Sequence, residues 1–152
     1  MGPEVSEVRL YGSVPVIPPK ILVIEDEPTI RRFYERFCEA QGYEPVLAPT
    51  GTAALDLLES GQSFDAILMD VRLPGVSGRA LWKAMELNRP ELCSRVIMVT
   101  ADILSESTRE LIEQSGRPYL EKPFSTQQLV EVIEMVLRSP PEQPGENRCL
   151  GG

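Results

Sequence analysis

From Lys20 onward the chain alternates two kinds of hydrophobic pattern. Short apolar runs rich in β-formers, "KILVIE", "EPVLA", "DAILMD", "RVIMVT" and "PYLE", predict five strands. Between them apolar residues recur at helical spacing: Ile30, Phe33, Tyr34, Phe37 and Cys38 mark one stripe, and Leu129, Val132, Ile133, Val136 and Leu137 another. Both stripes read as core packing. Thr50, Ser77 and the pair Ser125 and Gln128 signal helix starts, and Gly42 closes the first helix. Unbroken apolar strands are strands covered on both faces. Strict alternation of strand and helix therefore predicts an α/β fold: a doubly wound (βα)5, flavodoxin-like arrangement with a parallel five-stranded sheet and helices on both faces.

The flanks break this pattern. Residues 1–19 alternate loosely through Val8, Leu10, Val14 and Val16, but Pro15, Pro18 and Pro19 interrupt any long strand, so a linker or flexible leader with at most one stray strand is expected. After Arg138, "SPPEQPGENRCLGG" is too polar and too rich in proline and glycine to bury a core, which predicts a disordered tail over 139–152. One folded domain over 20–138 remains, in keeping with a length of 152 residues.

Composition narrows the partners. A net charge of −8 offers no basic patch for nucleic acid or for direct contact with an anionic membrane surface. No run approaches the length of a membrane span, and the amino end lacks the blocks of a signal peptide. Cys38, Cys93 and Cys149 form no CxxC pair, so reduced thiols and a cytoplasmic location are expected. The complete absence of histidine removes Ser/His/Asp hydrolysis and histidine-ligated zinc. Chemistry must rest on carboxylates, lysine and hydroxyls.

Those groups stand at the strand ends. "ILVIEDEP" drives an apolar run into Glu25, Asp26 and Glu27, whose mutual repulsion opposes folding. Two readings fit: acids beginning a helix before Pro28, or acids gathered around a cation. Asp70 follows the third strand, Thr100 the fourth and Lys122 the fifth. In an open α/β sheet these carboxyl ends share one crevice, so scattered residues are expected to converge there. Carboxylates of this kind can hold Mg2+ through oxygen, Lys122 and Thr100 can bind further oxygens, and Asp70 is the candidate nucleophile.

With these motifs the chain resembles the response-regulator receiver domains of two-component phosphorelays. "IEDEP" is similar to the acidic pair of that family, "LMDVRLPGVSG" to its phosphoacceptor loop, "MVTA" to its switch hydroxyl and "YLEKPF" to its lysine-proline motif. The resemblance implies that Asp70 accepts a phosphoryl group from a phosphohistidine on a histidine kinase or histidine phosphotransfer domain. It implies that Asp26, Asp70 and the backbone carbonyl of Arg72 ligate Mg2+, with Glu25 acting through water. Thr100 and Lys122 would contact the phosphoryl oxygens, and Tyr119 would be the switch aromatic. Glu25 stands where aspartate is at least as usual in that family, and the shortened "GRPYLEK" resembles receivers attached to hybrid sensor kinases.

Two alternatives carry separate expectations. A magnesium-dependent aspartyl phosphatase needs a second aspartate as general acid, where this chain has Arg72 after Val71. A docking module without chemistry would not need Asp26, Asp70, Thr100 and Lys122 together. Further expectations concern detail. The Lys122–Pro123 bond should be cis, with Phe124 turned to the core, and Arg72 and Asp102 should both overhang the site's mouth, either paired across it or simply solvated. The output should leave through the fourth helix, fifth strand and fifth helix, reaching a downstream target protein. The segment Leu104–Ser115, anchored chiefly by Leu104, Leu111 and Ile112, should be the least firmly held.

Overall fold

The computed structural model describes residues 9–11 and 14–140, with side chains from residue 17 onward. Val8, Cys149 and residues 141–152, which carry most of the expected disordered tail, lie outside the described residues. The leader holds two short strands rather than one: β1 (Arg9–Tyr11) pairs antiparallel with β2 (Val14–Val16). Pro15 is tolerated because each strand of a two-stranded ribbon has a free edge, where a missing N–H breaks no ladder.

The five predicted strands form within one residue of expectation: β3 (Lys20–Ile24), β4 (Glu44–Ala48), β5 (Ala66–Asp70), β6 (Val96–Thr100) and β7 (Tyr119–Glu121). All neighbours pair parallel, in the order β4-β3-β5-β6-β7. The connecting helices are α1 (Pro28–Gln41), α2 (Gly51–Glu59), α3 (Gly78–Asn88), α4 (Glu106–Ser115) and α5 (Thr126–Arg138). Thr50, Ser77 and Ser125 cap α2, α3 and α5 through their hydroxyls, and Gln128 completes a capping box. Gly42 ends α1 at φ 82°, a left-handed conformation that glycine adopts at no steric cost.

Alternation along each strand divides the core. Leu22, Ile24, Ile67, Met69 and Met98 face one side, packed under Ala54, Leu81, Trp82, Met85 and Leu111 of α2, α3 and α4. Ile21, Val23, Ala66, Leu68, Ile97 and Val99 face the other, under Tyr34 and Phe37 of α1 and Leu129, Ile133 and Val136 of α5. Cys38 is buried and free, and burial pushes its thiol up to about 12, so it is an inert core residue.

Three expectations are corrected in part. Phe33 belongs to the periodic stripe but sits on its solvent side, 42% exposed. Leu104 anchors nothing: it precedes α4 and is 84% exposed, because Ser105 caps the helix and the chain turns outward before it. Buried Thr108 and Ser115 join Leu111 and Ile112 in holding α4. Arg79 of α3 adds bonds to the Ser107 carbonyl (3.1 Å) and to Glu110 (3.9 Å).

The loop from β5 to α3 depends on close backbone approach. A Cβ on Gly78 would lie 2.8 Å from the Val71 carbonyl oxygen and 2.9 Å from its Cα, while the Gly78 N–H donates to that same carbonyl at 3.1 Å. Gly78→Ala must push the loop away, and overpacking of this kind costs about 1–3 kcal/mol. Urea unfolding followed by fluorescence of the single, buried Trp82 is expected to show that loss of stability.

Candidate functional site: an acidic pocket closed by a lysine

The carboxyl ends of β3 and β5 bring three acids together. Suitable oxygens of Glu25, Asp26 and Asp70 all lie within 4.8 Å of one another. Glu25 is 2% exposed and Asp70 7% exposed. Such a cluster folds only if something offsets its repulsion, and Lys122 does. Its ammonium lies 2.9 Å from Asp70 Oδ2 and 3.1 Å from Glu25 Oε1. Lys122 reaches them from the end of β7, where its N–H donates to the Thr100 carbonyl at 2.8 Å and the bond to Pro123 is cis. Phe124 turns inward and stacks on Tyr34.

Backbone donors hold the remaining oxygens. The Glu27 N–H donates to Glu25 Oε2 at 3.1 Å, and the Arg72 N–H donates to Asp70 Oδ1 at 3.0 Å. Arg31 ties down the acidic loop through the carbonyls of Glu25 (3.0 Å) and Asp26 (3.2 Å). The helix-start reading of the acids is thereby limited. Pro28 does open α1, but the side chain of Glu27 makes no capping bond and is exposed. Glu25 turns into the pocket instead.

Electrostatics follow from burial. Desolvation raises the Glu25 carboxyl above its ordinary range, the Glu27 N–H bond opposes this, and the nearby charge of Asp70 adds to the rise. Burial alone would lower Lys122, but its bonds to Asp70 and Glu25 and their charges reverse this and raise it. Three carboxylates against one ammonium leave two negative charges unneutralised when all are ionised, a deficit that one divalent cation matches. Oxygen donors alone, part of them buried, suit a hard cation.

Thr100 ends β6 beside this group, 1% exposed, and its hydroxyl accepts the Asp102 N–H at 2.9 Å rather than bonding to Asp70. Arg72 and Asp102 pair at 2.7 Å with both side chains largely exposed. Tyr119 points outward, 46% exposed. Thus Glu25, Asp26, Asp70 and Lys122 form one pocket with Thr100 and Arg72 at the neighbouring strand ends, while Tyr119 lies lower on β7, in register with Met98, and faces solvent.

The family profile of the response regulator receiver domain matches residues 21–134. The chain belongs to that family. It is 33% identical over 118 residues to chemotaxis protein CheY of Pseudomonas aeruginosa, covering 77% of this chain and 94% of CheY. It is 31% identical over 136 residues to sensor protein GacS of Pseudomonas syringae pv. syringae, covering 84% of this chain but only 15% of GacS. A solved receiver domain, that of sensor histidine kinase PA1611 from Pseudomonas aeruginosa, superposes with a TM-score of 0.72 at 31% identity, covering 81% of this chain and all of that one. That structure has a magnesium ion coordinated in its active-site cleft. Among the described residues no helix is long and apolar enough to cross a membrane.

Sequence reasoning missed Arg31, and it placed Tyr34 correctly in the core without following its hydroxyl, which is buried and unpaired among the described residues. A guanidinium one helical turn beyond an acidic loop was the available signal for the first. A tyrosine within a fully apolar stripe was the signal for the second, since a buried phenol ordinarily needs a partner.

The raised carboxyl of Glu25 sets a pH dependence. Protonation removes a negative charge from the pocket, so cation affinity is lost as pH falls through the Glu25 pKa. Because that pKa is raised, the loss begins above the usual 4.5. Magnesium titrations by calorimetry at stepped pH are expected to show it, and Glu25→Gln is expected to move the onset down.

Proposed function

We propose that Asp70 is the phosphoacceptor of this receiver domain. The observation that carries the reading is that Asp70 and Glu25 share the ammonium of Lys122 at 2.9 and 3.1 Å inside a pocket that also holds Asp26. Members of this family accept a phosphoryl group from histidine kinases or histidine phosphotransfer domains, and a phosphohistidine on such a partner is the donor proposed here. The P–N bond to the imidazole breaks as the P–O bond to an Asp70 oxygen forms.

Glu25, Asp26 and Asp70, with the Arg72 carbonyl, are proposed to hold Mg2+, which supplies positive charge to the transferring phosphoryl oxygens. The chain's own residues do the rest. The Arg72 N–H orients Asp70 through Oδ1. Lys122, relieved of the acids, turns to the phosphoryl oxygens. The Thr100 hydroxyl leaves the Asp102 N–H to reach them too, which loosens the loop before α4. The Arg72–Asp102 pair overhangs the mouth and slows the water that must attack in line. As an exposed pair it contributes about 0–1 kcal/mol to stability, yet a barrier change of about 1.4 kcal/mol alters a rate tenfold.

The output surface proposed is the face of α4, β7 and α5, where Tyr119 and Met135 are exposed, at 46% and 45%. A cytoplasmic setting completes the reading.

Incubation with acetyl phosphate and magnesium, followed by intact-mass measurement, tests it. Wild type is expected to gain a single, transient phosphoryl adduct, absent without magnesium and absent in Asp70→Asn. The same time course is expected to show faster adduct loss in Arg72→Ala. Full labelling of Asp70→Asn would refute the assignment, and rapid multiple turnover of phosphate would point to a phosphatase instead.

A further inference from the structure

Beneath the acidic pocket lies a buried donor that the site as described does not use. Tyr34 of α1 is 1% exposed, and its hydroxyl has no hydrogen-bond partner among the described residues. Leaving a buried polar atom unpaired costs about 1–3 kcal/mol, so the group calls for an explanation.

The register of the sheet shows where Tyr34 sits. It packs in the same cluster as Ile21 and Val23 of β3, Leu68 of β5 and Leu120 of β7. Side chains two residues apart share a face of a strand. Glu25 follows Val23, Asp70 follows Leu68 and Lys122 follows Leu120 at that interval, so all three stand over the layer that holds Tyr34. The phenol ring stacks at 6.4 Å on Phe124, two residues beyond Lys122. The charges of Glu25 and Asp70 act on the hydroxyl, adding to the effect of burial.

Glu25 has the complementary difficulty. At 2% exposure it keeps two donors, the Glu27 N–H on Oε2 and Lys122 on Oε1. If Lys122 turns to an incoming phosphoryl group, as proposed above, Glu25 loses one of them in a buried place.

We infer that Tyr34 is a positioning residue of the loaded site, donating its hydroxyl to the Glu25 carboxylate when Lys122 releases it. The exchange gives the unpaired hydroxyl an acceptor and gives Glu25 a donor in place of Lys122, fixing the carboxylate from below while the pocket is occupied. The inference rests on the proposed reading of Asp70 and Lys122.

Full-length wild type, Tyr34→Phe, Glu25→Gln and the double variant are titrated with beryllofluoride in the presence of magnesium, and affinity is read by calorimetry. Tyr34→Phe removes only the oxygen. It is expected to melt no lower than wild type when unloaded, and to load about tenfold more weakly, the size of one hydrogen bond. In the Glu25→Gln background the same change is expected to have a much smaller effect. Equal affinity of wild type and Tyr34→Phe, or an undiminished effect in the double variant, overturns the inference alone. Failure of wild type itself to bind beryllofluoride overturns the reading of the site and this inference with it.

Discussion

The contact on which the site depends is one ammonium shared by two buried carboxylates. Without Lys122, the ends of β3 and β5 would press Glu25, Asp26 and Asp70 together with only backbone donors and Arg31's hold on the loop to oppose their repulsion. With it, the acids are held close, oriented and still short of positive charge. That imbalance makes the pocket receptive to a cation. A buried acid pair fully neutralised by two lysines would gain nothing from one.

The fold supplies the convergence. The hydrogen-bonded neighbours β3 and β5 lie inside the sheet and end in Ile24 and Asp70, while β7, two strands beyond β5, returns Lys122 across the carboxyl edge. Neither partner is near the other in sequence: 97 residues separate Lys122 from Glu25 and 52 separate it from Asp70. The rigid parts are the strands, the close packing of Gly78 on Val71 and the Arg72 N–H on Asp70. Around these, Thr100, the Arg72–Asp102 pair and the outward Tyr119 occupy positions able to change.

Much of this was legible in the chain because the governing patterns are local. Strands buried on both faces announced themselves as continuous apolar runs, helix starts as hydroxyl caps, and the strand-end residues as the candidate chemistry. The cis bond before Pro123 follows from the sharp turn there, while loop positions bring Arg72 and Asp102 to one opening without deciding between pairing and solvation. What escaped depends on direction rather than pattern. Periodicity could not say that Phe33 would lie at the edge of its stripe, nor that Leu104 would fall outside the helix it seemed to anchor. Among three consecutive acids, charge pattern alone did not separate them; the resemblance singled out Glu25 and Asp26, and the structure turns Glu25 into the pocket and leaves Glu27 exposed. Tyr34 looked like core because its ring is core. Only its hydroxyl, buried without a partner among the described residues, sets it apart from the rest of the stripe.

Lys122 occupies, among the acids, the electrostatic place of a cation. Thermal melting of Lys122→Met against magnesium concentration tests this most directly, since that side chain keeps the length and apolar stem while losing the charge. The variant is expected to be less stable than wild type without magnesium and to show a larger rise in melting temperature than wild type when the ion is added. A variant as stable as wild type without magnesium, with the same response to the ion, would contradict it.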